Sequence, residues 1–177
     1  MFTMTLVLLA IIAALLVAAA MRPDTFRVER TASVNAPPEK IFALVNDYRQ
    51  WPSWSPYEKM DPAMKKTFTG PASGKGAVYE WEGNAKAGKG RIEILDAAPP
   101  NRISMKLDML KPMQGHNTVD FVFTPQGGAT DVSWTTRGKS PFIGKLFGLV
   151  FNMDRMVGGQ FEEGLAKLKQ LSEARLA

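Results

Sequence analysis

The chain contains no cysteine. That excludes disulfides, thiolate metal sites and cysteine nucleophiles together. A single histidine, His116, rules out a histidine-rich metal site and confines any Ser-His-Asp arrangement to that one residue. Cations outnumber anions, 22 Lys and Arg against 17 Asp and Glu, for a net charge of +5. No run of lysine or arginine forms, however, and a phosphate-tracking surface needs clustered cations. Nucleic acid is therefore not an expected partner. The sequence also lacks a nucleophile elbow, a phosphate loop and a metal-ligand cluster. No cofactor or metal is expected, and no catalytic residue is assigned.

Charge is missing altogether from residues 2–21, which are apolar apart from Thr3 and Thr5. Roughly 20 such residues cross the hydrocarbon core as a helix. A single-span anchor is one reading. The other is a signal peptide cut after Ala18-Ala19-Ala20, which would export the rest of the chain. The absence of Lys and Arg before the run, and its length, favour the anchor. Arg22, Arg27 and Arg30 all follow it, so the positive-inside bias places the globular part on the cytoplasmic side. The expected division is an anchor at 1–22, a linker at 23–26 and one domain at 27–177.

Alternation of apolar and polar residues marks a first strand at 26–34. Asn35-Ala36-Pro37-Pro38-Glu39 reads as a helix start capped by Asn35 or Ala36, with Ile41, Phe42, Leu44 and Val45 on the buried side. A second short helix is expected to end near Trp54. A run of strands follows at 60–69, 77–82, 89–97, 102–110, 117–124 and 129–137, separated by turns rich in glycine and proline. Consecutive strands joined this tightly form an antiparallel meander. Residues 141–151 are too apolar for an ordinary loop and predict one or two helical turns. Residues 152–175 form the long amphipathic helix of the domain. Met153, Val157, Phe161, Leu165 and Leu168 share its apolar face, with Met156, Gly164 and Leu171 beside them, and Glu163 precedes Lys167 by one turn. A one-faced sheet needs a cover, and this helix supplies it. The fold class is α+β.

Particular residues narrow this further. They are Val28-Glu29-Arg30-Thr31 leading into Asn35 through Phe42, Val45-Asn46-Asp47 with Trp51 and Trp54-Ser55-Pro56, residues 74–84, and Phe161 through Lys169. With them the chain resembles the START-like (SRPBCC) helix-grip superfamily, of the polyketide cyclase/dehydrase and lipid-transport type. The resemblance covers residues 26–175. It implies a curved antiparallel sheet wrapped around the C-terminal helix, two short helices after the first strand, and an apolar cavity between sheet and helix. Some relatives bind lipids or quinones and others cyclise polyketides, so the fold alone does not select the activity.

The expected ligand-binding residues are the inward-facing Tyr79, Trp81, Ile94, Met105, Leu107, Phe121, Phe123 and Trp134, with Met153, Val157 and Phe161 from the helix and Trp54, which with Trp51 and Tyr57 reads either as an aromatic gate or as packing of the short helices. Trp51 is expected to pack the short helices. His116 is placed in an exposed turn, and Glu80, Glu82 and Asp120 on the solvated face. The leading reading is a membrane-anchored binding domain for a small apolar ligand. Alternatives are a cyclase or dehydratase using Tyr79, His116 or Asp120, and an interaction or stress-response module whose cavity is filled. Oligomeric state is left open.

Overall fold

A computed structural model describes residues 2–174; residue 1 of the expected anchor and residues 175–177 of the expected domain lie outside the described residues. The apolar run forms α1 (Phe2–Ala20), which is long and apolar enough to cross a membrane by length and composition. The domain then runs β1 (Thr25–Val34), α2 (Pro38–Asn46), two short 3-10 turns (Tyr48–Ser53 and Pro56–Lys59), β2 (Lys65–Thr69) and β3 (Val78–Glu82). It continues through β4 (Lys89–Ala98), β5 (Arg102–Lys111), β6 (Gly115–Gln126), β7 (Ala129–Lys139), α3 (Phe142–Val150) and α4 (Met153–Glu173).

All seven strands form one antiparallel sheet in the order β1-β7-β6-β5-β4-β3-β2. The meander therefore returns to pair β7 with β1, and the register shift between Ile94 and Asp96 marks a bulge in the β4–β5 pair. Phe26, Val28, Arg30, Ala32 and Val34 share the inner face of β1, because the side-chain period of a strand is two.

α4 lies across that face. Two glycines set its distance. A Cβ on Gly164 would stand 2.7 Å from the ring of Trp134, and one on Gly158 would stand 2.0 Å from the Arg30 guanidinium. A side chain at Gly164 would push the helix off the sheet, whereas one at Gly158 would displace the Arg30 guanidinium. Arg30 donates to Glu162 at 2.7 Å and to both carboxyl oxygens of Asp154, pinning the first turns of α4 to β1. At the other end the Lys169 ammonium donates to the Ser33 carbonyl at 2.7 Å.

Several local expectations change. The N-cap of α2 is Pro37, without a side-chain bond, and the Asn35 amide donates instead to Glu173 at 2.7 Å. Asp61-Pro62 delays β2 until Lys65. Met156 is 58 % exposed, since it lies one position off the stripe that faces the sheet. Glu163 pairs with Lys59 at 2.9 Å rather than with Lys167, because the turn Pro56–Lys59 packs beside α4.

Candidate functional site

The register aligns inward-facing residues into rows across the sheet. One row runs Phe123, Val132, Ala32, and the next runs Ile103, Phe121, Trp134, Arg30. A third runs Ile94, Met105, Val119, Thr136, Val28. Most of their side chains are large and buried beneath α2, Trp54 and the second half of α4, and only Val119, Trp134 and Thr136 also reach the neighbouring space. Trp54 lies 6.0 Å from Phe121 and 5.6 Å from Trp134 between ring centroids, both edge-on. Leu165 and Leu168 complete this half of the core.

The rows toward the other end of the sheet differ. One runs Tyr79, Ile92, Leu107, Asn117, Gly138, Phe26, and the last runs Trp81, Gly90, Met109, Gly115. Glycines interrupt them, and neighbouring side chains lie down over the gaps. The Trp81 ring crosses Gly90, while Asn117 and Phe26 lean over Gly138. Nothing comes within 4 Å of the place where Gly115 would carry a Cβ. Flat-lying side chains and missing ones leave volume between the sheet and the first half of α4.

The result is a cavity of about 380 Å³, partly open to the outside. Trp81, Leu107, Met109, Val119 and Trp134 line it from the sheet; Met153, Val157 and Phe161 line it from α4; Trp51, Tyr57, Met60 and Met64 close one side. Phe161 stacks on Trp134 with centroids 4.0 Å apart and planes 9° from parallel. The Trp81 indole is fixed by its N–H donating to the Ala87 carbonyl at 3.0 Å. Trp134 is buried, and its N–H finds no acceptor among the described residues.

Polar side chains on the wall are few: Tyr57, Glu58, Tyr79, Lys86, Asn117 and Thr136. The Tyr79 hydroxyl donates to Glu58 at 2.7 Å, and Lys66 pairs with the other oxygen of the same carboxyl group. Burial, and then the bond to Glu58, raise the Tyr79 phenol far above its ordinary range, so it stays protonated as a donor. Tyr57 is likewise held protonated by burial.

Of the residues singled out from the sequence, Tyr79, Trp81, Leu107, Trp134, Met153, Val157 and Phe161 border the cavity. Trp54, Ile94, Met105, Phe121 and Phe123 do not. Ile94, Met105, Phe121 and Phe123 sit in the first three rows, Trp54 covers them, and all five are at most 2 % exposed. Trp51, expected only to pack the short helices, reaches the cavity, and Trp54 is sealed in the core. Both indoles donate to the end of α2, Trp51 to Val45 and Trp54 to Leu44, which satisfies carbonyls that a helix terminus leaves open. Sequence reasoning missed Glu58, Met60, Met64 and Asn117. Phe26 was on the right face of β1, and only the register reveals that it ends a cavity row.

The other candidate groups stand on the outer face. His116 belongs to β6, not to a turn; it is largely exposed and its Nδ1 contacts Asp108. Burial raises the Asp108 carboxyl, but bonds from His116 and Lys106 outweigh it and hold the group below the usual range. Asp120 is buried rather than solvated, because Arg102, Arg137 and Ser104 close over it. Burial pushes its carboxyl up, and those bonds and charges lower it overall. Glu80 and Glu82 are exposed, as their alternation with Tyr79 and Trp81 requires. Among the described residues no group of three or more His, Asp or Glu could hold a metal ion.

An antiparallel sheet gripping a C-terminal helix over an apolar cavity defines a helix-grip protein. Residues 25–173 match the model of the family described as polyketide cyclase / dehydrase and lipid transport, and the chain belongs to that family. Comparison with curated proteins gives no match. Among solved structures, protein CV1439 from Chromobacterium violaceum shares the fold with a TM-score of 0.60 and 18% identity, covering 87% of this chain and 100% of that one. The di-domain ARO/CYC protein BexL from the BE-7585A biosynthetic pathway superposes with a TM-score of 0.62 at 17% identity, over 89% of this chain and 53% of that one. The Aha1 dimer from Colwellia psychrerythraea gives 0.58 at 15% identity, over 86% and 99%.

Proposed function

We propose that the chain is a membrane-anchored binding domain that holds one small apolar molecule, of lipid, quinone or polyketide-like type, between the sheet and α4. The observation that carries this reading is the cavity of about 380 Å³ walled by aromatic and methionine side chains. Its size falls within the range of roughly 300–1,000 Å³ seen for small-molecule sites, and its few polar groups suit orienting such a ligand. Membership of a family that includes lipid transport and cyclase activities supports the ligand class. The membrane part of the reading is supported by α1, whose residues 3–20 have a mean hydropathy of 2.7 and no charge. Arg22, Arg27 and Arg30 after it favour a cytoplasmic domain.

Native mass spectrometry of the full chain released from detergent, with parallel solvent extraction, tests the reading. The expected result is a bound species of a few hundred daltons that Leu107→Trp displaces by filling the cavity. An unliganded mass throughout, even after incubation with lipid and quinone mixtures, would contradict it. N-terminal sequencing of the mature protein separates an anchor from a cleaved signal.

A cyclase or dehydratase has one observation in its favour: Tyr79, hydrogen-bonded to Glu58, stands on the cavity wall. His116 and Asp120, on the outer face, add nothing to it. If Tyr79→Phe abolished conversion of a poly-β-ketone probe while leaving its binding unchanged, the enzymatic reading would gain.

A further inference from the structure

α3, its C-cap Phe151 and the first turn of α4 present Phe142, Ile143, Phe147, Val150, Phe151 and Met156, each 47–79 % exposed. Elsewhere in the domain exposed apolar side chains such as Phe68, Leu95 and Val122 are scattered over separate strands. A continuous apolar stretch of this kind is a contact surface awaiting a partner.

Its position names the partner. The opposite side of α3 is tied to the segment that leaves α1. Lys145 of α3 is buried and pairs with Asp24, and the Ser140 amide donates to the Asp24 carbonyl at 2.7 Å. Arg22 reaches over α3, its guanidinium 3.1 Å from where Gly148 would carry a Cβ. α1 ends at Ala20 and β1 begins at Thr25. The tie at Asp24 is thus four residues past the end of α1, which at about 3.3 Å per residue spans no more than ~13 Å. The headgroup zone beyond the hydrocarbon core is itself roughly 5–8 Å thick on each side. A helix tied that close to a span, with its apolar side uncovered and Arg22, Lys139 and Arg155 exposed around it, has the make-up of an interfacial helix.

We infer that α3 and the first turn of α4 lie in the headgroup zone of the bilayer that α1 crosses, and that the cavity opens beside them. This rests on the anchored reading of α1. The second half follows from continuity. Met153, two residues after Phe151, is 46 % exposed and also borders the cavity, and Val157 continues the wall one turn further in. The apolar surface therefore runs from α3 into the cavity, and an apolar ligand exchanges with the lipid phase without crossing water.

The absence of cysteine makes the test direct. Single-cysteine variants Ile143→Cys, Phe147→Cys and Met156→Cys, with Leu9→Cys in α1 and Glu80→Cys on the outer face, are labelled with an environment-sensitive fluorophore. Each is made in the full chain and reconstituted into vesicles of phosphatidylcholine and phosphatidylglycerol. Lipids brominated near the headgroup should quench the labels at 143, 147 and 156 about two-fold or more, as expected for an interfacial helix. They should leave the label at 80 unchanged, and deep-brominated lipids should quench the label at 9. A quenched label at 9 with water-like labels at 143, 147 and 156 overturns the inference and leaves the anchor intact. Labels at those three sites that are shielded yet unquenched also overturn it, since a second copy of the chain then covers the face. Quenching at those sites without quenching at 9 sustains the interfacial placement and removes the transmembrane reading. Water-like labels at all four sites remove both.

Discussion

Phe161→Ala probes the grip and the cavity in one substitution. The ring is 3 % exposed, lies flat on Trp134 at 4.0 Å, and borders the cavity. Burial of a phenylalanine is worth up to about 3 kcal/mol, and a stacked aromatic pair adds about 0.5–1.5 kcal/mol. Truncation in a fully packed core costs about 3–5 kcal/mol, part of which is the void left behind. Here the ring already borders open volume, so fewer contacts disappear. The expected cost is about 3 kcal/mol, near the low end of that range. Phe161→Leu, which keeps most of the volume but not the stacking, should cost roughly 1–2 kcal/mol. Urea denaturation of the detergent-solubilised full chain, followed by tryptophan fluorescence, measures both. A cost for Phe161→Ala below about 1 kcal/mol, typical of surface positions, would refute the placement of α4 on the sheet.

Adjacent glycines of α4 should respond with opposite signs. Gly159→Ala meets nothing within 4 Å and should stabilise by up to about 1 kcal/mol through helix propensity. Gly158→Ala displaces the Arg30 guanidinium from Asp154 and Glu162 and should destabilise despite the same propensity gain; thermal melts of the two variants check the contrast. Asp120→Asn should lose about 1–2 kcal/mol at neutral pH, because Arg102 and Arg137 lose their shared partner. The folded state holds the Asp120 carboxyl below its ordinary value of 3.8. Its contribution is therefore present above that value and disappears as pH falls through the lower folded one. Wild type and variant should converge in urea midpoint as the pH falls below the ordinary carboxylate range and Asp120 takes up its proton, and a constant difference across pH would refute the ionic account.

The faces of the strands were legible from alternation alone. Val28 and Arg30, Tyr79 and Trp81, and Val119 and Phe121 point inward as a period of two demands. The rows were not. Met105 and Leu107 alternate identically on one strand, yet Met105 is sealed and Leu107 borders the cavity. What separates them is the strand opposite: Met105 faces Val119, whereas Leu107 faces Asn117, which in turn faces Gly138. That information lies in long-range register, and no window of sequence contains it. Glu58 was illegible for another reason. A carboxyl group in a proline-rich turn reads as solvated, and only the distant Tyr79 and Lys66 make it a buried wall residue. The amphipathic stripe of α4 located Phe161 correctly, because helical period and core burial agree there.

Tryptophan quenching shows whether an apolar molecule enters the space above Gly138 and Gly90. Trp51, Trp81 and Trp134 border the cavity, while Trp54 is sealed in the core. In the full chain held in bromine-free nanodiscs, a brominated fatty acid should quench the emission saturably. Leu107→Trp with that added indole as filler, corrected for its own emission, should abolish the saturable part, and Trp54→Phe should leave it unchanged. Equal quenching in wild type and the filled variant would place the probe in the bilayer alone and leave the cavity without a ligand.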